Sequence, residues 1–324
     1  MKKEILELLL KNMGEFISGE EISSGFHVSR TAIWKHINSL KEAGYEIESS
    51  PRQGYRLNKL PDVLVTEEIM LSLKTERLGL NVQVFAELPS TNDLAKKLAN
   101  EGADEGTIIL AEKQLQGRGR MGRHWESPAK KGLWLSVILR PPIKPYLASQ
   151  IIFVVAVGVC RALRSITGLD VKIKWPNDLL INGKKICGIL TEMSAEIDML
   201  NYVVIGIGVN INHQQGDFPL EIIDTATSLS IASGNNYRRV EILQEILLQL
   251  ENTYQQYLQH GFVSILTDWK ALNCTLGKDV KVFSMEEKFN GIAEDLNQDG
   301  SLLVRRENGQ LETVIVGDVS LRTN

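Results

Sequence analysis

The sequence predicts an α+β protein in three parts: a winged helix-turn-helix over residues 1–60, a mixed α/β region over 67–271 and a small all-β barrel over 272–324. Three patterns predict it. Apolar residues at helical spacing run through short segments before Gly44, then give way to alternation around Pro51 and Gly54. Strand-like and helix-like runs are interleaved through the middle of the chain. Beyond Leu276, short strands are separated by Asp299-Gly300 and Asn308-Gly309, dipeptides that favour hairpin turns.

The first part opens with Ile5, Leu8 and Leu9 on one helical face. Ser18, with Glu21 three residues on, caps a second short helix. Ser29 caps a third, in which Ile33, Ile37 and Leu40 form the buried stripe and Gly44 takes the position after the end. Its other face carries Arg30, Thr31, Lys35, His36, Asn38 and Lys41, and the hairpin that follows carries Arg52 and Arg56. Cations neutralise phosphates and a polar helix face meets base edges, so Ser29, Arg30, Thr31, Lys35, His36, Arg52 and Arg56 are the candidate DNA contacts. Val28 to Lys59 holds six Lys or Arg and three acids, a mildly positive patch; a protein-interaction domain with a solvated charged face is the alternative. Asn58 to Thr66, with Pro61, reads as a linker.

In the middle part, strands are expected at Val82–Leu88, Thr107–Glu112, Leu133–Leu139, Val171–Lys174 and Tyr202–Ile211. Helices are expected at Thr91–Asn100, Ser149–Ile166 and Arg239–Leu258. The run from Ile151 to Cys160 is about half the ~20 apolar residues a membrane helix needs, so it reads as a buried helix. No membrane association is expected, and the N-terminus does not read as a signal peptide.

Composition narrows the function. The 324 residues are 43% apolar and carry a net charge of −4, so any nucleic-acid surface is a local patch. Cys160, Cys187 and Cys274 are far apart with no metal-ligand spacing. They read as reduced thiols in a cytoplasmic protein, with no disulfide framework and no tightly bound metal. Cys187 lacks a neighbouring base and reads as a core residue.

Chemistry concentrates in EKQLQGRGRMGRHWESPAKKGLWLS. Lys113 to Lys131 holds six Lys or Arg and one acid, Glu126. Gly117, Gly119 and Gly122 alternate with Arg118, Arg120 and Arg123, a pattern suited to a phosphate or carboxylate: glycine admits the anion to the backbone and arginine supplies forked donors. The glycines match GxGxxG, but no amphipathic helix follows and Pro141, Pro142 and Ile143 stand where a dinucleotide fold needs an acid. GxxxxGK[ST] is absent, and a single tight loop argues against an Arg-Gly RNA patch.

Four more segments look polar by requirement rather than for packing. Ser90-Thr91-Asn92 joins a strand to a helix, as a site or simply as a cap. Lys174-Trp175-Pro176-Asn177-Asp178 ends a strand; Asp178 is a candidate Mg²⁺ ligand, or Asn177 and Asp178 serve a turn. Lys184-Lys185 precedes Gly188 after a turn; one lysine is a candidate for developing phosphate charge, or both lie on a surface hairpin. Gly206 to Asn212, GIGVNIN, places two glycines in a strand, a sign of close approach by a ligand.

Together STN, QxxGRGRxGRxW, KWPND, KKICGIL, GIGVN, the winged helix and the β-rich tail resemble the bifunctional biotin–protein ligases that repress biotin operons, over nearly the whole chain. The resemblance implies a catalytic domain of that ligase type and an SH3-like C-terminal barrel. It implies biotin and MgATP as substrates, a biotin carboxyl carrier protein and operator DNA as partners, and a homodimer formed on adenylate binding. By matching motif positions it places Ser90, Thr91, Asn92, Gln114, Gly117, Arg118, Gly119, Arg120 and Lys185 at biotin. At ATP or the adenylate it places Arg118, Arg120, Arg123, Trp125, Asn177, Lys185 and Asn210, with Trp125 near the adenine. Lys185, Arg118, Arg120 and Asp178 carry the catalysis, Asp178 with the nucleotide's Mg²⁺; a slip to Lys184 stays open. Met121 stands where some members have a basic residue. The rivals are a non-catalytic sensor of a small acid and a lipoate-type ligase, a group that generally lacks the winged helix.

Overall fold

Helices α1 (Lys2–Lys11), α2 (Gly19–Phe26) and α3 (Arg30–Glu42) form because their apolar residues fall on single faces. The Ser18 hydroxyl accepts the Glu21 N–H at 3.0 Å and Ser29 accepts that of Ala32 at 3.2 Å, so both predicted caps are made. Ile5, Leu9, Ile22, Ile33, Ile37 and Leu40 are buried together with Leu57 of the hairpin β1 (Glu46–Ser50) and β2 (Gly54–Lys59). Gly54 is required there: its φ is +100°, and a Cβ would lie 2.0 Å from the Ile17 carbonyl oxygen.

This computed structural model describes residues 1–284, 288–315 and 317–321. The chain divides into two units, Met1–Ser72 and Leu73–Asn324. Helix α4 (Thr66–Leu71) therefore belongs to the first unit, although the sequence places the second domain's start at 67. The reason is packing: Ile69 is fully buried and α4 lies against α1.

The second unit is built on seven strands: β3 (Val82–Phe85), β4 (Ile108–Ala111), β5 (Gly132–Leu139), β6 (Lys172–Lys174), β7 (Asp178–Ile181), β8 (Lys184–Ala195) and β9 (Leu200–Asn210). Their order is β3-β4-β5-β9-β8-β7-β6; β3 and β4 are parallel and every other pair is antiparallel. Helix α5 (Thr91–Asn100) covers one face, packing Ala95 and Ala99 on Ile138, Tyr202 and Val204. Helices α6 (Ile151–Thr167), α8 (Arg239–His260) and α9 (Phe262–Leu272) pack on one another, and α6 and α8 also meet the sheet; α7 (Leu229–Ser233) is a single short turn. The segment Pro145–Thr167 is long and apolar enough to cross a membrane, but most of it is buried inside the fold, where α6 crosses α8 so closely that a Cβ at Gly158 would lie 2.9 Å from Leu250 Cα.

Strands β10 (Asp279–Ser284), β11 (Lys288–Leu296), β12 (Leu302–Arg306), β13 (Leu311–Val314) and β14 (Gly317–Leu321) form an antiparallel sheet in the order β13-β12-β11-β10-β14. Gly300 and Gly309 take the left-handed backbone expected at its turns. The sheet is tied to the seven-stranded sheet through Trp175, whose N–H donates to Thr275 Oγ1 at 2.9 Å and whose indole donates to Gly300 O at 3.1 Å.

Candidate active site

Even-numbered residues of β5, of β9 and of β8 from Gly188 onward project toward α5 and the loop 113–131, because side chains alternate along a strand; the register shift between β7 and β8 brings Lys185 to the same side. The even-numbered residues meet a buried polar network. Thr91 donates its N–H and its hydroxyl to Gln114 Oε1 at 2.9 and 3.0 Å, and Gln114 Nε2 donates to Ser127 Oγ at 3.0 Å. Ser136 Oγ lies 2.8 Å from Thr91 Oγ1 and 2.6 Å from Asn92 Oδ1. Asn92 Nδ2 donates to Glu192 Oε2 at 2.8 Å, and Lys96 holds the other oxygen at 2.6 Å. Ser90 stands at the helix start but makes no side-chain cap, so capping does not explain the triplet. Ser127, Ser136 and Glu192 were not legible in the sequence. Ser136 and Glu192 sit in strand-like runs where a lone polar residue reads as an outward-facing one.

Gly206 and Gly208 of β9 line the cavity, in keeping with the close approach expected there, and they also make room for the protein's own side chains. A Cβ at Gly206 would lie 2.4 Å from Asn92 Oδ1, and one at Gly208 would lie 2.5 Å from the Trp125 indole nitrogen. Gly188 pairs with Gly208 across the strands, and its Cβ would lie 2.9 Å from the same ring. Trp125 thus lies on bare backbone, its Nε1 without a hydrogen-bond partner.

The cationic residues gather beyond Trp125. Lys185 Nζ is 2.6 Å from Asp178 and 5.2 Å from the Trp125 ring centroid; Lys174 is 3.6 Å from Asp178. Arg120 donates to Asn177 Oδ1 at 3.2 Å, to Asp318 at 3.2 Å and to Gly317 O at 3.0 Å. Arg123 reaches Asp318 at 2.8 Å, and Arg118 is paired with Asp93. Burial lowers the Arg120 pKa, against the pull of Asp318 and Asp178. The loop is also held by its own backbone: the Gly119 N–H, expected to face an anion, donates to Arg123 O at 2.7 Å, and the Trp125 N–H donates to Gly117 O at 2.9 Å.

These groups enclose a cavity of about 230 Å³. Its wall includes Ser90, Thr91, Asn92, Gln114, Arg118, Gly119, Arg120, Arg123, Trp125, Asn177, Asp178, Lys185 and Asn210. Gly117 is outside it, packed on Trp125 O and Ser127, and Lys184 is outside it too. Asn177 and Asn210 each fix backbone, donating to Ile189 O at 2.7 Å and to Thr227 O at 3.1 Å.

Six wall residues lie outside the sequence reading: His213, Phe218, Ile222, Thr225, Ala226 and Asp318. His213 stacks on Phe218 with centroids 5.0 Å apart and meets Trp134 edge-on at 5.9 Å. Burial lowers its pKa to about 4, so it is neutral near pH 7. Asp318 lies more than a hundred residues beyond the last motif, where only the fold could reveal it.

No group of three or more His, Cys, Asp or Glu among the described residues could hold a metal ion. Asp178 contributes one carboxylate that already faces two ammonium groups. Cys187 is fully buried, and burial raises its pKa, as fits a core thiol.

In the winged helix, Ser29, Arg30, Thr31, Lys35 and Arg52 are exposed and His36 is half-buried. Ser29 is used as a cap and Arg30 is within 3.1 Å of Glu20 at the open surface. Arg56 is turned inward, 2.6 Å from Glu48 and stacked 4.5 Å over Phe16, so Arg52 is the freer cation of the hairpin.

Residues 84–210 match the biotin/lipoate A/B protein ligase family, residues 2–56 match a helix-turn-helix domain and residues 275–322 match the biotin protein ligase C-terminal domain. The bifunctional ligase/repressor BirA of Bacillus spizizenii is 43% identical over 99% of this chain and 98% of its own length. The chain belongs to the BirA family of bifunctional ligase/repressors. The Escherichia coli BirA is 29% identical over 97% of this chain and 95% of its own. Among solved structures, a biotin protein ligase from Aquifex aeolicus in complex with biotin and ATP superposes with a TM-score of 0.66 at 31% identity, covering 76% of this chain and all of that one. In this BirA-family chain, most of the cavity wall falls within the ligase match at 84–210, whereas His213 and Phe218 follow it and Asp318 comes from the C-terminal domain.

Proposed function

We propose that this protein activates biotin with MgATP to biotinyl-5′-AMP and passes the biotinyl group to one lysine of a biotin carboxyl carrier protein. The observation that carries the reading is one cavity with a hydrogen-bonded polar end and a cationic end, joined by Trp125. The urea ring of biotin needs fixed neutral donors and acceptors, which Ser90, Thr91, Asn92 and Gln114 supply. The carboxylate then points toward Arg118, Arg120 and Lys185.

A carboxylate and a triphosphate repel each other, so the cations have to offset that repulsion. A biotin carboxylate oxygen attacks the α-phosphorus, the bond to the bridging oxygen breaks, and pyrophosphate leaves with that electron pair. Lys185 leaves Asp178 for the α-phosphate as charge builds. Asp178 is the carboxylate that would face the magnesium ion carried by the nucleotide, which would help to neutralise the phosphate charge. Trp125, Asn177, Asn210 and Arg123 hold the nucleotide. The carrier lysine, as a free amine, attacks the carbonyl carbon of the mixed anhydride; the amide forms and AMP departs. No covalent enzyme intermediate is needed. The loop Gly117–Arg123 shields the anhydride from water.

The same reading extends to DNA. The adenylate-bound chain forms a homodimer whose two winged helices reach the half-sites of an operator, in the cytoplasm, where its substrates are. Equal operator affinity with and without adenylate, at one salt concentration, would remove that part. For catalysis, the purified protein is incubated with biotin and MgATP and analysed by mass spectrometry for retained biotinyl-adenylate, alongside biotin-dependent exchange of pyrophosphate into ATP. No exchange would leave a sensor; exchange with lipoate or octanoate but not biotin would leave a different ligase.

A further inference from the structure

The outward face of α3 carries one residue that a phosphate-binding surface does not call for. From Arg30 to Lys41 the helix has Arg30, Lys35, His36 and Lys41 and no acid. Ile33, Ile37 and Leu40 are its buried stripe. Trp34 is 55% exposed. The partly buried apolar side chains packed on the winged-helix core are Leu8, Leu10, Phe26, Val28, Tyr55 and Leu60, and Trp34 is not one of them. On a helix it shares a face with Arg30 and Thr31 one turn earlier and Asn38 one turn later. Lone exposed apolar residues are ordinary on a surface. Here, however, the largest side chain of the alphabet stands at the centre of the basic polar face, in the first turns of the helix that enters the major groove in this architecture.

We propose that Trp34 is a sequence-reading residue: its indole packs against the 5-methyl group of a thymine in the major groove, while Arg30 and Lys35 take the flanking phosphates. This rests on the operator-binding reading above. Thymine alone offers a methyl group on that edge of a base pair. An uncharged ring gains there by removing apolar surface from water, and it displaces no counterions. Trp34 therefore sets sequence preference without changing salt dependence, the reverse of a lysine or arginine at a phosphate.

The test uses the full chain with biotin and MgATP, a duplex selected by the wild-type protein from a random library, and an unselected duplex of equal length. Trp34→Ala is expected to weaken the selected duplex about tenfold, leave the unselected one unchanged and keep the slope of affinity against salt. Replacing thymines by uracil one at a time should weaken the wild type about fourfold at one position and leave Trp34→Ala unaffected there. Trp34→Phe, which keeps an apolar ring, should fall between the two, and thermal unfolding of both variants checks that the domain is folded. Equal losses on both duplexes, no loss on the selected one, or a uracil effect that persists in Trp34→Ala would each overturn the proposal. A wild type that selects no sequence would instead remove the operator-binding reading on which it rests.

Discussion

At one end of the cavity Thr91, Asn92, Gln114, Ser127 and Ser136 satisfy one another inside the fold; at the other, Arg118, Arg120, Arg123 and Lys185 are each held by an acid, from α5, β7 or β14. A hydrogen-bonded network anchored on the Glu192–Lys96 ion pair is rigid and reorganises little when a neutral ligand part arrives. The Arg118–Asp93 pair is open to water and weak, whereas the acids of Arg120 and Lys185 are largely buried and are exchanged only for another anion such as a phosphate oxygen. On the proposed mechanism the contrast separates recognition from activation: the first end is built in advance, and the second trades protein acids for substrate charge as the reaction proceeds.

The largest effect expected is at Lys185. Lys185→Ala removes the cation that the proposed mechanism moves from Asp178 to the α-phosphate, a loss of several kcal/mol at the transition state. Pyrophosphate exchange should fall by roughly a thousandfold or more, while biotin binding without ATP, which loses one charge contact to the carboxylate, weakens by only about tenfold. Undiminished exchange would move the role to Lys184, whose side chain lies outside the cavity wall. Arg118→Gly comes next. It removes one charge-assisted contact and should release biotinyl-adenylate about ten- to a hundredfold faster. The escaping anhydride would label lysines on bystander proteins, and retention equal to the parent would take Arg118 out of the closure.

The difference between the two ends also governs what the sequence disclosed. Charged loops and glycine-rich strands are local features, so Gly117–Arg123, Lys174–Asp178, Lys185 and Gly206–Asn212 were visible as motifs, and the helices around them followed from apolar periodicity. The closed network was half visible. Its Ser136 and Glu192 come from strands whose pairing brings them to Asn92, and pairing over that distance leaves no trace in a local pattern. Asp318 was invisible for the same reason, because it reaches Arg120 only through the docking of the last sheet. The glycines of β9 are legible as points of close approach, but nothing local shows that Asn92 and Trp125 also press on them.

Those glycines allow the two ends to be disturbed separately. Gly208→Ala puts a methyl group 2.5 Å from the Trp125 indole, and Gly206→Ala puts one 2.4 Å from Asn92 Oδ1. Overpacking of this kind costs about 1–3 kcal/mol. Gly208→Ala should raise the KM for ATP about tenfold with biotin affinity nearly unchanged, and Gly206→Ala should do the reverse. If each variant loses both ligands equally in calorimetry, the ends are one unit and the contrast fails.

The smallest effect tests the wall between the ends. His213 is buried against Phe218 and Trp134, and burial outweighs the opposing pull of Asp217, so its folded pKa is about 4 against an ordinary 6.5. The unfolded chain therefore takes up a proton at a pH where the folded chain does not. Stability from this residue is complete above about pH 6.5, declines below it and is lost as pH falls through about 4. Between pH 7.5 and pH 6 the loss should be about 1 kcal/mol. His213→Phe keeps a ring against Phe218 and has nothing to protonate, so denaturant unfolding of the second unit should lose that part of its acid slope. An unchanged slope would mean that the His213 pocket opens to water before it protonates, placing this stretch of wall with the exchangeable end of the cavity rather than the rigid one.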